Sequence, residues 1–263
     1  DFILIKSDGY PTYNFAHIVD DIEMEVSHVM RGGEFISSTP KFLSVYEALE
    51  LEPPLYATLP VILGPDGKKK LSKRDGAKDL LEYKSQGYLS DAFVNFLTLL
   101  GWNPGNDKEI FTREELIQAF SIERIHKSGA TMSADKLDWI NKEHMKLLPK
   151  DEIERNILEW LPSEMRESAI APKLVPVIFE RISKWNDVKE MAKVGDLDFF
   201  FKMPEYEKEK LIYKDRGMES VIEKLNIAIK ALENIPENDF SSENVKNALM
   251  LVAEAGSSRG EVL

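Results

Sequence analysis

The pattern of apolar residues changes near residue 78, and this change restricts the chain to a mixed fold. Before that point, short runs rich in branched and aromatic residues alternate with helical spacing. Apolar runs at 2–5, 26–30 and 59–63 predict strands. A Thr-Pro pair at 39–40 predicts the start of a helix between the second and third runs. This order is typical of α/β folds, whose sites lie at the carboxyl ends of the strands.

The remainder of the sequence has helical spacing, and prolines separate its segments. Thr112 and Glu115 form a capping box at the start of one helix, and Ser133 precedes another. Further helices are predicted at 151–161, 173–185, 218–235 and 241–255. We therefore predict an α/β domain followed by an all-α part in two modules. The predicted boundaries are 1–78, 79–148 and 149–263.

The composition excludes several classes of protein. The chain is 43% hydrophobic and 30% charged, has a formal net charge of -12, and contains no cysteine. Disulfides, thiol nucleophiles and cysteine zinc sites are therefore excluded. The longest apolar stretch, 93–102, is far shorter than the roughly 20 residues of a membrane span. We expect a cytoplasmic protein, and because the sequence begins with Asp1 rather than Met, we expect a fragment of a longer chain.

One loop has a charge opposite to that of the whole chain. The stretch GPDGKKKLSKRDGA occupies residues 64–77, and five of the seven residues at 68–74 are basic. A solvated, charged loop tip is one interpretation, whereas a Walker A loop is excluded because no Gly-Lys-Ser/Thr follows at the required offset. Lys70 and Lys73 could instead place ammonium groups on the oxygens of ATP as pyrophosphate leaves, which is the main catalytic requirement of nucleotidyl transfer.

The segment KLSKR at 70–74 resembles the KMSKS loop of class I aminoacyl-tRNA synthetases, in the form common among glutamyl-tRNA synthetases. Other segments similar to that family, in the family's order, are 9–16, 19–21, 27–32, 38–40, 136–141 and 198–201. The resemblance covers essentially the whole chain. It implies the second half of a class I synthetase Rossmann-like catalytic domain, followed by helical stem-contact and anticodon-binding modules.

The resemblance implies that Tyr13 and Arg31 contact the amino acid, and a guanidinium can bind one carboxylate of glutamate bidentately. His17 is a further substrate-facing candidate. The structural alternatives are a buried tyrosine, an arginine in an ion pair, and a surface histidine.

The resemblance also implies an ATP site. Glu34 would accept hydrogen bonds from the ribose, with Phe35 near the adenine, and the backbone of Ile62 would bond the adenine unless Ile62 is a plain core residue. Lys70 and Lys73 are the implied catalytic residues. The loop residues expected to bind ATP are Lys70, Leu71, Ser72, Lys73 and Arg74.

The implied activity is that of a glutamate–tRNA ligase, which uses ATP to activate L-glutamate and transfers it to the 3′ end of tRNA(Glu). Mg²⁺ would accompany ATP, no protein-bound metal is expected, and the enzyme would be a monomer. Asp20 and Asp21 are interpreted as a solvated or capping pair. None of the four histidines begins the His-x-Gly-His motif of the family's first half, so we expect the chain alone not to aminoacylate tRNA.

Three alternatives stay open. The chain could derive from a glutaminyl-tRNA synthetase, from the truncated paralogue that glutamylates a modified tRNA base, or from a non-enzymatic tRNA-binding module. Arg31 and the helical rather than β-barrel C-terminal part argue against the first, and the helices after residue 148 argue against the second.

Overall fold

The chain divides into two compact units, residues 1–197 and 198–263. The computed structural model describes residues 2–64, 66–72, 78–203, 205, 207, 212 and 217–254. The first unit begins with mixed α/β structure and continues with helices, which confirms the predicted fold class. The division into three modules stays a prediction.

The first part of this unit is a strand–helix–strand crossover. Its elements are α1 (Tyr13–Glu23), β1 (His28–Gly32), a 3₁₀ turn (Gly33–Phe35), α2 (Thr39–Ala48) and β2 (Leu55–Leu59). β1 and β2 are parallel, with His28 opposite Leu55 and Gly32 opposite Leu59. Pro40 lies in the first turn of α2, where its missing N–H costs no helical hydrogen bond. The core between α1 and α2 consists of Ile18, Phe42, Val45 and Tyr46.

A second small sheet leads into the lysine-rich loop. β3 (Ile62–Leu63) pairs in parallel with β4 (Ala130–Thr131). The single strand predicted at 59–63 is therefore wrong: β2 ends at Leu59, and Pro60, which has no N–H to donate, separates it from β3. The segment before β4 packs tightly against the segment before β3. A Cβ on Gly129 would lie only 2.9 Å from the carbonyl oxygen of Val61.

The strand predicted at 2–5 is also wrong. Ile5 forms only an isolated bridge with Pro11, and the side chains of Ile3 and Ile5 are 68% and 58% exposed. Phe2 and Leu4, by contrast, pack against the core of α1 and α2. The apolar run therefore covers a core rather than joining a sheet.

Helices form the rest of the first unit. They are α3 (Leu80–Ser85), α4 (Ser90–Gly101), α5 (Arg113–Ala119), α6 (Ala134–Lys146), α7 (Lys150–Trp160), α8 (Ser163–Arg166), α9 (Ala171–Arg181) and α10 (Asn186–Lys193). The predicted caps are confirmed: Thr112 and Glu115 form a capping box, and the Ser133 side chain accepts from the Lys136 N–H at 3.2 Å. The prediction of one helix over 173–185 is wrong, because α9 ends at Arg181 and α10 begins at Asn186.

A buried polar joint connects α6 with the turn between α9 and α10. The Asn141 side chain donates to the Ser183 carbonyl at 2.6 Å and accepts from the Leu89 N–H at 2.8 Å. Lys184 pairs with Asp138 at 3.1 Å. Because Asn141 is fully buried and both ends of its amide are bonded, these helices are fixed relative to one another.

The second unit contains α11 (Asp198–Phe201), α12 (Met218–Glu233) and α13 (Ser242–Glu254). α12 and α13 pack against each other, and the helices predicted at 218–235 and 241–255 are confirmed. No helix in the described parts of either unit is long and apolar enough to cross a membrane.

Candidate functional site

Three of the predicted site residues lie at or beside the carboxyl ends of β1 and β3, which belong to separate sheets. Arg31 is near the end of β1, Glu34 is in the 3₁₀ turn that follows, and Lys70 lies in the loop after β3. Parallel strands expose unpaired backbone groups and loops at this edge, which is where α/β proteins bind ligands. The fold therefore brings together residues that are far apart in sequence.

Arg31 and Tyr13 contact each other, although 18 positions separate them. Arg31 Nη1 donates to the Tyr13 hydroxyl at 2.9 Å. The Arg31 guanidinium also lies over the rings of Phe35, at 4.9 Å, and Phe42, at 5.6 Å. Stacking on aromatic faces holds the plane of a guanidinium while leaving N–H groups at its edge available for a carboxylate.

His17 is one helical turn after Tyr13 on α1. Its Nδ1 lies 2.7 Å from the Tyr13 carbonyl oxygen. Because a carbonyl can only accept, Nδ1 is the donor, and a neutral ring then presents Nε2 as an acceptor. The ring stacks on Tyr13 at 5.0 Å and meets the Phe42 ring edge-on at 4.4 Å. Nε2 is buried and has no hydrogen-bond partner within the described part of the chain.

The described part of the lysine-rich loop folds back on β3 as a hairpin. The Leu71 N–H donates to the Ile62 carbonyl at 2.8 Å, and the Gly64 N–H donates to the Lys69 carbonyl at 2.8 Å. Asp66 stabilises the turn by accepting from two backbone N–H groups, those of Lys68 and Lys69, at 3.0 and 3.2 Å. Leu71 is half-buried, and its N–H holds the hairpin against β3. The Ile62 carbonyl therefore already accepts one hydrogen bond from this hairpin.

Two predicted loop residues, Lys73 and Arg74, lie outside the described residues. Ser72 is described and exposed. Of the two predicted catalytic lysines, the structure therefore locates Lys70 only.

Lys70 forms an ion pair with Glu34. The Lys70 Nζ lies 2.9 Å from Glu34 Oε1, and the two side chains are 62% and 49% exposed. This hydrogen bond from Lys70 is the main reason that the pKa of the Glu34 carboxyl is below its usual value. A carboxylate expected at the ribose and a lysine expected at the phosphates are thus already in contact.

Two aromatic residues have positions that the sequence did not indicate. The resemblance implied a place for Phe35 near the adenine, which stays a prediction, and the structure shows its ring beside the Arg31 guanidinium. Phe42 was expected only as part of the apolar face of α2, and it forms another wall for Arg31. The helical spacing of Phe42 indicates burial, but no signal in the sequence indicates what it is buried against.

Several polar groups near Arg31 are buried. The hydroxyls of Tyr46 and Tyr56 and one carboxylate oxygen of Asp21 are buried without a hydrogen-bond partner among the described residues. Burial, followed by the charges of Tyr56 and Asp21, raises the pKa of Tyr46 to about 12. Within the same described ranges, no group of three or more histidine, aspartate or glutamate side chains could hold a metal ion.

Comparisons with known proteins agree on one family. The family described as tRNA synthetases class I (E and Q), catalytic domain, matches residues 1–139. The glutamate–tRNA ligase of Dehalococcoides mccartyi strain CBDB1 is 40% identical over 249 residues, which cover 92% of this chain and 50% of that protein. The glutamate–tRNA ligase of Clostridium kluyveri is 39% identical over 266 residues, covering 100% of this chain and 53% of that protein.

A solved structure is similar over nearly the whole chain. The crystal structure of a glutamate tRNA ligase from Elizabethkingia meningosepticum, in complex with its amino acid, has a TM-score of 0.74 and 33% sequence identity. The similarity covers 98% of this chain and 54% of that one. The chain therefore spans about half the length of the relatives that it matches.

Proposed function

The chain belongs to the family of class I tRNA synthetases for glutamate and glutamine, and on that premise we propose that it is part of a glutamate–tRNA ligase. The observation that carries the proposal is the Arg31 guanidinium, held by the Tyr13 hydroxyl and two aromatic rings at the carboxyl end of β1. A fixed cation at this edge suits an amino acid with a second carboxylate.

The chemistry decides which carboxylate Arg31 binds. In activation, an α-carboxylate oxygen attacks the α-phosphorus of ATP, a new C–O–P linkage forms, and the bond to pyrophosphate breaks. The α-carboxylate must therefore be free to react, which leaves the side-chain carboxylate for Arg31 and Tyr13. Glutamine offers an amide there, and the charge-assisted part of the interaction with Arg31 is then lost. Glutamate is accordingly the proposed substrate, with His17 stacked on Tyr13 as a further substrate-facing residue.

Lys70 and Lys73 are proposed as the groups that stabilise the charge on the leaving pyrophosphate. Electrostatic stabilisation of developing charge is the dominant catalytic term in transfers of this kind. Glu34 and β3 at Ile62 would receive the ribose and adenine, with Leu71, Ser72 and Arg74 completing the loop around ATP. Mg²⁺ would enter with the triphosphate as part of the substrate.

The second step transfers the glutamyl group to tRNA. The 3′-terminal ribose hydroxyl of tRNA(Glu) attacks the carbonyl of the glutamyl-adenylate, an ester forms and AMP leaves. We propose that the helices of 79–148 contact the tRNA stem and that those of 149–263 contact the anticodon region. The proposal places the enzyme in the cytoplasm, as a monomer.

Charging of tRNA by the full-length gene product tests this proposal. We expect labelled glutamate, but not labelled glutamine, to become esterified to tRNA(Glu). Periodate-oxidised tRNA, which lacks the reactive terminal diol, is the matched control and should accept nothing. Equal charging with glutamine would contradict the proposed amino-acid specificity, and tight tRNA binding without any charging would indicate a binding module instead.

A further inference from the structure

We propose that Glu34 is a positioning residue for Lys70: it holds the lysine at the strand edge until the ribose of ATP takes the same carboxylate oxygen. Binding of the nucleoside and release of the lysine toward the phosphates would then be one coupled event. This inference rests on the proposed function, because it assigns the ATP site to these residues.

The Glu34 carboxylate lies close to the main chain that precedes it. It folds back over Gly32, where the missing Cβ leaves room for the carboxylate. The 3₁₀ turn Gly33–Phe35 places the main chain of Glu34 directly after the end of β1.

The main chain of Lys70 is held in place by β3. It bridges to Leu63, and hydrogen bonds of 2.8 Å lie on both sides of that bridge. The α-carbon of Lys70 is therefore held by β3, and its side chain reaches Glu34 with an Nζ–Oε1 distance of 2.9 Å. Glu34 follows the end of β1 and Lys70 pairs with Leu63 at the end of β3, so the ion pair joins the ends of strands from two separate sheets.

The proposed exchange concerns the Glu34 oxygen that Lys70 contacts. Ribose hydroxyls donate hydrogen bonds, as the ammonium group does; Glu34 Oε1 already accepts from Lys70, and Oε2 lies against Gly32. The pair is half-exposed, so water weakens it enough for exchange. A lysine released in this way carries its full positive charge to the triphosphate.

Competitive acetylation of lysines in the full-length gene product tests the pair directly, since an ammonium engaged with a carboxylate reacts more slowly. Glu34→Gln keeps an oxygen acceptor but removes the charge, and it should raise the acetylation rate of Lys70 by about two- to fivefold, the range expected for an exposed ion pair. Lys68 and Lys69 are internal references, and Glu23→Gln is the matched control variant. An unchanged rate at Lys70 relative to both neighbours would overturn the proposal.

A binding experiment with adenosine distinguishes a failure of this inference from a failure of the proposed function. Adenosine carries the ribose without phosphates, so its binding should also raise Lys70 acetylation in the wild type, whereas ATP should lower it by engaging the amine. If adenosine binds by calorimetry and leaves Lys70 acetylation unchanged, the exchange is refuted. If adenosine and ATP do not bind at all while Glu34→Gln still raises the rate, the ion pair stands and the proposed ATP site is wrong.

Discussion

At the scale of single residues, the site depends on contacts between positions distant in sequence. Tyr13 is the first residue of α1, and Arg31 is the penultimate residue of β1. Only the packing of the helix against the strand brings Arg31 Nη1 to 2.9 Å from the Tyr13 hydroxyl. Phe35 and Phe42 then restrict the guanidinium to one plane. The resemblance indicated Tyr13 and Arg31 as candidates for a carboxylate site. It did not indicate the two aromatic walls, because Phe35 reaches Arg31 from the turn after β1 and Phe42 reaches it from α2.

Arg31→Met in the full-length protein should weaken glutamate binding by roughly 30-fold or more, because truncating one partner of a hydrogen-bonded charge pair costs about 2–5 kcal/mol. Tyr13→Phe removes one hydrogen bond, worth about 0.5–1.5 kcal/mol, and should cost roughly 3- to 10-fold. Calorimetric titration with glutamate measures both, and ATP affinity should be unchanged. Equal glutamate affinity in Arg31→Met and wild type would refute the assigned role.

Tyr46 should make stability sensitive to alkaline pH. Its side chain is only 2% exposed, and burial raises its pKa to about 12, above the usual value of about 10. Because the fold favours the neutral phenol, this contribution is present below pH 10 and is lost as the pH rises from 10 toward 12. Urea unfolding between pH 8 and 11 should therefore show a shallower loss of free energy in Tyr46→Phe than in wild type.

The control for that measurement is Tyr10→Phe, since Tyr10 is 69% exposed. The free energy of unfolding of Tyr10→Phe should change with pH as that of the wild type does. A Tyr46→Phe profile that coincides with the wild-type profile would mean that Tyr46 is not held neutral by the fold.

At the scale of secondary-structure elements, helices were predicted better than strands, although the helix over 173–185 was wrong and the strand predicted at 26–30 overlaps β1. Helix starts depend on local caps, such as Thr112 with Glu115, and these were recovered from sequence spacing. Strands depend on partners elsewhere in the chain: the run at 2–5 covers a core instead of pairing, and Pro60 splits the run at 59–63. Register and pairing are non-local properties, which a single sequence specifies only weakly.

The turn between α3 and α4 should be sensitive to a single methyl group. Gly87 has a φ of +77°, and a Cβ there would lie 2.6 Å from Trp185 Cβ. Trp185 lies in the turn between α9 and α10. Gly87→Ala should cost about 2–4 kcal/mol of unfolding free energy, from left-handed strain plus overlap. Urea denaturation of the chain measures it.

Gly9→Ala is the matched control for this substitution. Gly9 also has a positive φ, of +83°, but a Cβ there would meet nothing within 4 Å. It should cost only the backbone strain, about 1–2 kcal/mol. If the two alanine variants lose equal stability, the close contact with Trp185 is not a feature of the folded protein.

At the scale of the whole molecule, one helix from each unit can be compared by how many residues it buries. α4 buries Ala92, Asn95, Phe96 and Leu100, whereas α12 has no buried residue along its described length. Apolar burial is the main source of stability for helices, so local opening should be easier in the second unit. The amides of α12 should exchange with solvent at least about tenfold faster, after correction for sequence, than those of α4.

Hydrogen-exchange mass spectrometry of the chain checks this expectation. Peptides from α6 provide the reference, because α6 also contributes to the buried core of the first unit through Leu137 and Ile140. Equal protection in α12 and α4 would show that the second unit gains stability from contacts other than its own helix pair.

The central claim is that the lysine-rich loop stabilises the pyrophosphate that leaves ATP during activation of glutamate. The most direct test is exchange of labelled pyrophosphate into ATP by the full-length protein, with glutamate and tRNA(Glu) present. A Lys70→Met/Lys73→Met variant should lose about 100-fold or more of this exchange, the loss typical of removing a preorganised electrostatic group, while a Lys68→Met control retains it. Exchange at the wild-type rate in the double variant would contradict the account.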